Sequence, residues 1–371
     1  MSAKVRVGIV GAGWWCARGH LPSIVSNPDA DLVAICDADI NRALEAQNLF
    51  GADYAVDEME EMLTFDLDCI LISTPHNHHF KPAALALKHG IDVMIEKPMT
   101  LVPSEAWELV KLSYENSCNL HLGYTFPHSK HVQQVQEMVA NGELGELEFG
   151  TALFTGNIAP LYEGHVNAQV DPSSPFPSQA TTYTSKKHGG GQLYTQTTHP
   201  VSTMLFLSKS IPASVTGVMN GTTTKVDLSN SLIMQTRDNF FATIGSSGAM
   251  TDHAERFEEY RLIGKNGHVI LDTKAGTLQS QLRGHSLVTE SKLSDSAANP
   301  IEGPVNTLIS TVLNKPSVRA NGILGALTVD VLEACRLSSI EKRTISFQPP
   351  LDLDGNFDPT LIKERSENVQ P

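Results

Sequence analysis

Cations are scarce in this chain. It carries 27 lysines and arginines against 41 aspartates and glutamates, a formal net charge of −14 over 371 residues. Phosphate-covered surfaces and anionic membranes would repel it at long range, so neither nucleic acid nor membrane is expected as a partner. Long apolar runs are missing too, and no stretch approaches the roughly 20 residues that cross a bilayer. Cysteine is sparse and scattered: Cys16, Cys36, Cys69, Cys118 and Cys335 form an odd set without CxxC spacing, which excludes a disulfide framework. They read as small buried side chains. The opening "MSAKVRVGIVGAG" runs almost directly into a β-like segment, leaving no room for a charged stretch, an apolar stretch and a cleavage site. A reduced cytoplasmic compartment is the expectation. Internal repeats are also absent.

What is present is an alternation. The length predicts two domains and a tail. Over the first third, apolar β-like segments ("VRVGIV", "DLVAICD", "DCILIST", "DVMIEKP", "CNLHLGYT") alternate with helical patterns at about 14–26, 40–50, 81–90 and 104–117. That rhythm predicts a parallel sheet with helices on both faces, a Rossmann dinucleotide-binding domain over residues 1–123. After about Tyr124 a helix at 131–140 stops at "NGELGE", and the chain becomes rich in strands separated by Gly, Asn, Ser and Thr. Residues 124–347 therefore read as an α+β domain with a large, mainly antiparallel sheet, for substrate binding and oligomerisation, and 348–371 as a C-terminal tail. A Pro/Ser/Thr-heavy segment at about 157–187 has the length of a functional lid or wall. A late helix at about 322–338 is compatible with packing on either domain.

In "GIVGAGWWCARGH" Gly11 and Gly13 follow a strand and open a helix, where backbone N–H groups and the helix dipole can hold a pyrophosphate. Cys16 stands where the third glycine of GxGxxG would be. Asp37 lies 24 residues beyond Gly13 at the end of the second strand, placed to accept from an adenosine ribose and to repel a 2′-phosphate. NAD is therefore expected over NADP, although Arg42 could turn towards a phosphate. Trp14 and Trp15 either wall the nicotinamide pocket or pack at the helix start.

The chain resembles the glucose-fructose oxidoreductase, inositol dehydrogenase and MocA family (Gfo/Idh/MocA) from about residue 5 to 347. The resemblance rests on "GIVGAG", "HLP" at 20–22, "STPHNHH" from Ser73, "EKPMT" from Glu96, "GELGEL" from Gly142 and "GGGQLYTQTTH" ending at His199. It implies that Ser73, Thr74, Pro75, His76, His79 and Glu96 border the cofactor, with His79 matching a family histidine and His76 replacing a usual asparagine. The run of His76, His78 and His79 sits on one tight turn without a second ligand cluster at recognisable spacing, so no metal site is expected.

Oxidising a carbinol carbon requires a base for the hydroxyl proton and a positive group near the developing oxygen charge. Lys97 of "EKP" resembles the family lysine that contacts the reacting hydroxyl, and also borders the cofactor. His199 has the intrinsic basicity for proton transfer near neutral pH. The family's aspartate four residues before that histidine is Thr195 here, which can hydrogen bond but supplies no charge. Pro200 predicts that Thr195 and His199 need not share a helical face. Tyr124, Gln192, Tyr194, Thr195, Gln196 and His199, with Lys97, are candidate substrate contacts, their hydroxyls and amides suited to a polyhydroxylated ligand. "GYTFPHSKH" lacks the positive charge common in the family at that point and favours a neutral sugar or glycoside. The expected activity is NAD-dependent oxidation of a secondary hydroxyl of a sugar, cyclitol or glycoside by a homodimer or homotetramer. The alternatives are an NAD-retaining glycosidase acting by transient C3 oxidation and elimination, and a non-catalytic NAD-dependent sensor.

Overall fold

Strands β1 (Val5–Val10), β2 (Ala30–Cys36), β3 (Tyr54–Val56), β4 (Cys69–Ile72), β5 (Asp92–Ile95) and β6 (Leu120–Leu122) form one sheet in a computed structural model of the protein. The structure describes residues 4–165, 174–177, 180–221, 224–251, 254, 256–285, 288–352 and 354–362. The six strands pair in parallel in the order β3-β2-β1-β4-β5-β6. Sequential order reverses between β1 and β4, which leaves a crevice at their carboxyl ends. Val7, Ile9, Val33, Ile35 and all of β4 are buried because helices cover both faces, and so these strands read as continuous apolar runs rather than alternating ones. The helix expected at 14–26 is present. It is π-wound over Cys16–His20 and α-helical over Leu21–Ser26.

Nine further strands make the second sheet: β7 (Leu147–Thr155), β8 (Pro212–Asn220), β9 (Ser229–Thr236), β10 (Phe241–Ser247), β11 (Glu258–Gly264), β12 (Gly267–Asp272), β13 (Thr277–Leu282), β14 (Thr289–Lys292) and β15 (Ile345–Ser346). Their order is β14-β13-β12-β11-β7-β10-β9-β8-β15, antiparallel except where β7 meets β10. One face packs on the helices Thr198–Ser208 and Gly322–Glu341, and the other shows Leu153, Val218, Ile233, Phe241 and Ile263 to solvent.

The late helix Gly322–Glu341 joins the two sheets. Trp107 Nε1, on the helix Pro103–Glu115, donates to its Asp330 at 2.9 Å, and its Ser338 hydroxyl accepts from Gly217 N of β8 at 2.9 Å. The helix Gly303–Val312 buries Val305, Leu308 and Ile309 in the same apolar cluster as Val5, Val7 and Ile9. The tail expected at 348–371 is packed as far as 362: Phe357 stacks on Trp107 with centroids 6.2 Å apart and planes within 4°, and Leu351 is buried. An aromatic ring that stays half-covered by Trp107 removes apolar area from water, which is why this stretch does not hang free. Residues 363–371 lie outside the described set. No helix among the described residues is long and apolar enough to cross a membrane.

Candidate active site

A cavity of about 1490 Å³ opens at the carboxyl ends of the parallel strands and continues onto the second sheet. That exceeds the roughly 300–1,000 Å³ of pockets for one small ligand, so it has room for a dinucleotide with a substrate beside it. At one end lie Gly11, Gly13 and Asp37, in the middle Trp14, Trp15, the Ser73–Thr74–Pro75–His76 loop and Lys97, and at the other end Thr195, Gln196 and His199.

The dinucleotide end is built from close backbone approach. Gly11 has φ +92°, and a side chain there would place Cβ 2.7 Å from the carbonyl of Ser73. Only glycine fits both the angle and the contact. At Gly13 a Cβ would meet nothing within 4 Å, so the helix entrance is open to a ligand. The Thr74 hydroxyl is buried with no partner among the described residues, and Thr74 lies on the cavity lining. The Asp37 carboxylate accepts from Ala12 N at 2.9 Å, from Asp39 N at 3.0 Å and from Arg42 at 3.1 Å. Arg42 thus faces the carboxylate rather than an open phosphate position. These residues fit a pyrophosphate at the glycine turn and a ribose at Asp37.

The three histidines differ in role. His76 is buried, with Nδ1 3.1 Å from the carbonyl of Gly189, and burial together with the charges of His79 and Lys97 pushes its pKa down to about 3. It is a neutral ring tying this loop to the glycine run at 189–191. His79 Nδ1 lies 2.8 Å from the carbonyl of Pro98 and Nε2 2.9 Å from that of Thr74. Burial pushes its pKa down as well, and a neutral ring can donate to only one of the two carbonyls. It clamps the loop after β4 to the loop after β5. His78 is exposed and pairs with Asn77. Among the described residues no group of His, Cys, Asp and Glu is arranged to hold a metal ion.

Glu96 and Lys97 follow β5. One Glu96 oxygen takes His20 Nε2 at 2.7 Å and Trp15 Nε1 at 2.9 Å, and the other accepts from Lys97 N at 3.0 Å. Burial pushes the Glu96 pKa up, but the bond and charge of His20, with Lys97, outweigh it and hold the carboxyl below its ordinary value. Its oxygens are engaged by protein groups, so it braces the site from the cavity wall. The peptide between Lys97 and Pro98 is cis. Lys97 Nζ donates to the carbonyl of Thr195 at 3.0 Å. Burial and the charge of Arg256 push its pKa down, while Glu96 pulls it back up, leaving it below the ordinary value.

Residues Leu193–Thr197 are π-helical and run without a break into the α-helix Thr198–Ser208. Pro200 left open whether Thr195 and His199 share a face, and both line the cavity. The run accommodates Pro200 at the junction of its π-helical and α-helical turns, where the missing N–H costs one intrahelical bond. A proline also returns no N–H to the turn before it, which leaves carbonyls there free for a side-chain donor such as Lys97. The Thr195 hydroxyl faces inwards, donating to Gly191 O at 2.7 Å and bonding the Tyr162 hydroxyl. His199 stacks on Phe154, centroids 5.4 Å apart and planes within 4°. Burial, Lys97 and Arg256 all push its pKa well below the ordinary histidine value, so the resting ring is neutral and able to accept a hydrogen bond.

Three expected substrate contacts fall elsewhere. Tyr124 is buried with its hydroxyl on Thr198, and the Gln192 amide is buried between Tyr162 and Ser246. Neither lines the cavity, and Tyr194 instead donates to Glu333. Helical phase turns Gln192 and Tyr194 into the core, which periodicity could not reveal in the run "GGGQLYTQTTH", and Tyr124 is buried just after β6. The sequence reading also missed Phe154, Tyr183 and the Arg256–Glu258 ion pair, all of which line the cavity. Tyr183 accepts from Trp14 Nε1 at 2.9 Å, so within the Pro/Ser/Thr-heavy segment at least this residue forms a wall. Residues 166–173 and 178–179 of that segment lie outside the described set.

Comparison with known proteins agrees with this architecture. Residues 5–124 match the oxidoreductase family with the NAD-binding Rossmann fold, and 132–270 match the GFO/IDH/MocA C-terminal domain. A dTDP-3,4-didehydro-2,6-dideoxy-alpha-D-glucose 3-reductase of Streptomyces antibioticus is 26% identical over 272 residues, 73% of this chain and 76% of the relative. A D-glucoside 3-dehydrogenase of Escherichia coli K12 is 31% identical over 154 residues, 41% of this chain and 43% of the relative. In fold, the chain is similar to an oxidoreductase domain protein of Kribbella flavida, with a TM-score of 0.80 at 16% identity over 93% of this chain and 100% of that one.

Proposed function

The chain belongs to the GFO/IDH/MocA family of NAD-binding oxidoreductases, and within it we propose that it oxidises a ring secondary hydroxyl of a sugar or glycoside. The observation that carries this reading is the convergence of Lys97 and His199 on one cavity: a fixed ammonium and a neutral imidazole beside the place for a nicotinamide. NAD, when bound, supplies the hydride acceptor. Lys97 donates to the substrate oxygen and stabilises the negative charge that grows there as the carbonyl forms. His199 takes the hydroxyl proton, and in the reverse direction returns it. Carbon 3 is the position favoured by the two relatives named above, a 3-reductase and a 3-dehydrogenase.

Arg256 adds a positive charge that the sequence reading left out, and it is paired with Glu258 instead of standing open for an anionic substrate group. Residues 4–123 supply the cofactor side. The second domain supplies His199 and an apolar open sheet face, at Leu153, Val218, Ile233 and Phe241, that suits pairing with a second copy of the chain. A sizing measurement that returned only monomer would remove that last element.

Screening sugars, cyclitols and glycosides with purified protein and NAD tests the activity. Substrate-dependent, net NADH formation is the expected result. Bound NAD with no net reduction on any of them, or sugar release without net NADH, would contradict it.

A further inference from the structure

Beneath the helix that carries His199 lies a carboxylate that lines no part of the cavity. Asp227, in the lead-in to β9, accepts at Oδ2 from Leu193 N at 2.9 Å and from Asn230 Nδ2 at 3.1 Å. Its own carbonyl accepts from Gln192 N at 2.9 Å. Gly191 is the reason the approach is possible: its φ is +99°, and a Cβ there would collide with Asp227 Oδ1. Asn230 extends the contact to the next turn, its Oδ1 accepting from the Thr197 hydroxyl at 2.9 Å.

From this anchor a continuous set of bonds leads to the reacting centre. Asp227 fixes the Gly191–Leu193 backbone. The Gly191 carbonyl takes both the hydroxyl and the N–H of Thr195, at 2.7 and 3.2 Å. The Thr195 carbonyl takes Lys97 Nζ at 3.0 Å. We propose that Asp227 is a positioning residue for the Lys97 ammonium, supplying from below the helix the anionic anchor that Thr195 does not supply within it. The inference rests on the dehydrogenase reading for its activity test only.

A neutral acceptor could satisfy Leu193 N as well, so the charge needs its own reason. An anion at the start of a helix is favoured by the helix dipole and by unpaired amides. Burial nevertheless pushes the Asp227 pKa up, and Asn230, the Leu193 amide and Lys186 only partly offset this, leaving it at about 6. The other titratable groups facing it are Tyr162, Tyr194 and Cys335, all pushed to higher pKa and protonated near neutrality. Asp227 is therefore the group of this set that changes charge just below neutral pH. Protonation turns one acceptor oxygen into a donor and loosens the clamp.

Two variants and two readouts test this. Acetylation of Lys97 by acetic anhydride, followed by mass spectrometry across pH, reports the state of its ammonium whether or not a substrate is known. The wild type should show a step in Lys97 reactivity near pH 6, and D227N, which keeps an acceptor but cannot titrate, should lack it. D227A should lower kcat by about tenfold to a hundredfold with KM for NAD little changed, since misplacement rather than lost cofactor contact is the cause. D227N, which keeps the acceptor but not the charge, should recover only part of that turnover. The proposal is overturned by D227N retaining the pH step, or by a folded D227A with wild-type kcat and an unchanged Lys97 profile. If no substrate is found, the dehydrogenase reading fails and the acetylation profiles of wild type and D227N still decide the role of Asp227.

Discussion

The Lys97 ammonium sits 3.0 Å from the main-chain carbonyl of Thr195, so a backbone dipole, not a neighbouring carboxylate, aims the cation that meets the substrate oxygen. The Thr195 side chain points the other way, into a buried pair with Tyr162. Replacing Thr195 by Val should therefore leave turnover within about threefold while costing about 1–3 kcal/mol of stability, because the Tyr162 hydroxyl loses a buried partner. Thermal or urea unfolding beside a kcat measurement separates the two effects. A large loss of kcat without loss of stability would place the hydroxyl on the substrate.

Lys97→Met removes the cation and keeps the length of the side chain. Turnover should become undetectable while NAD affinity stays within about tenfold, about 1.4 kcal/mol. Near-normal turnover in this variant would take Lys97 out of the mechanism.

For His199, burial and the charges of Lys97 and Arg256 act in one direction, against the protonated ring. Its ring resonances should not titrate between about pH 5 and 8 in NMR spectra, where an unperturbed histidine would. Arg256→Ala deletes one repelling charge and should move the titration upwards. A His199 that titrates near its ordinary value in the wild type would mean the ring is solvated or paired with an acid.

Gly11→Ala tests the glycine turn. At φ +92° and 2.7 Å from the Ser73 backbone, a methyl group should cost about 1–2 kcal/mol in folding and displace the loop that holds Thr74. Calorimetry should show NAD binding weakened by more than the loss in stability alone explains. Unchanged binding and melting would mean the turn is more yielding than its geometry indicates.

Much of this was legible in the sequence because backbone constraints leave marks on residue type. Gly11, the 189–191 run and Asp37 stand where φ, close approach or a strand end demanded them, and the alternation of strand and helix fixed the parallel sheet. The phase of the 189–199 segment was not legible. A π-helical turn shifts which residues face the cavity, so Gln192 and Tyr194 read as contacts although both are buried. Arg256 and Phe154 lie on strands or loops far away in sequence, brought to His199 only by the pairing of β7 with β11. Asp227 had no motif at all, because its meaning is its position under Gly191.

Direct transfer between the substrate carbon and the cofactor is the central step. With a methyl glycoside deuterated at carbon 3 and NAD, NADH should form more slowly than with the unlabelled sugar, and the recovered reduced nicotinamide should carry deuterium. If NADH forms at the same rate and carries no deuterium, carbon 3 is not the reacting centre, and if no labelled ring position of any accepted sugar delivers its deuterium, the assignment of Lys97 and His199 to hydride transfer is wrong.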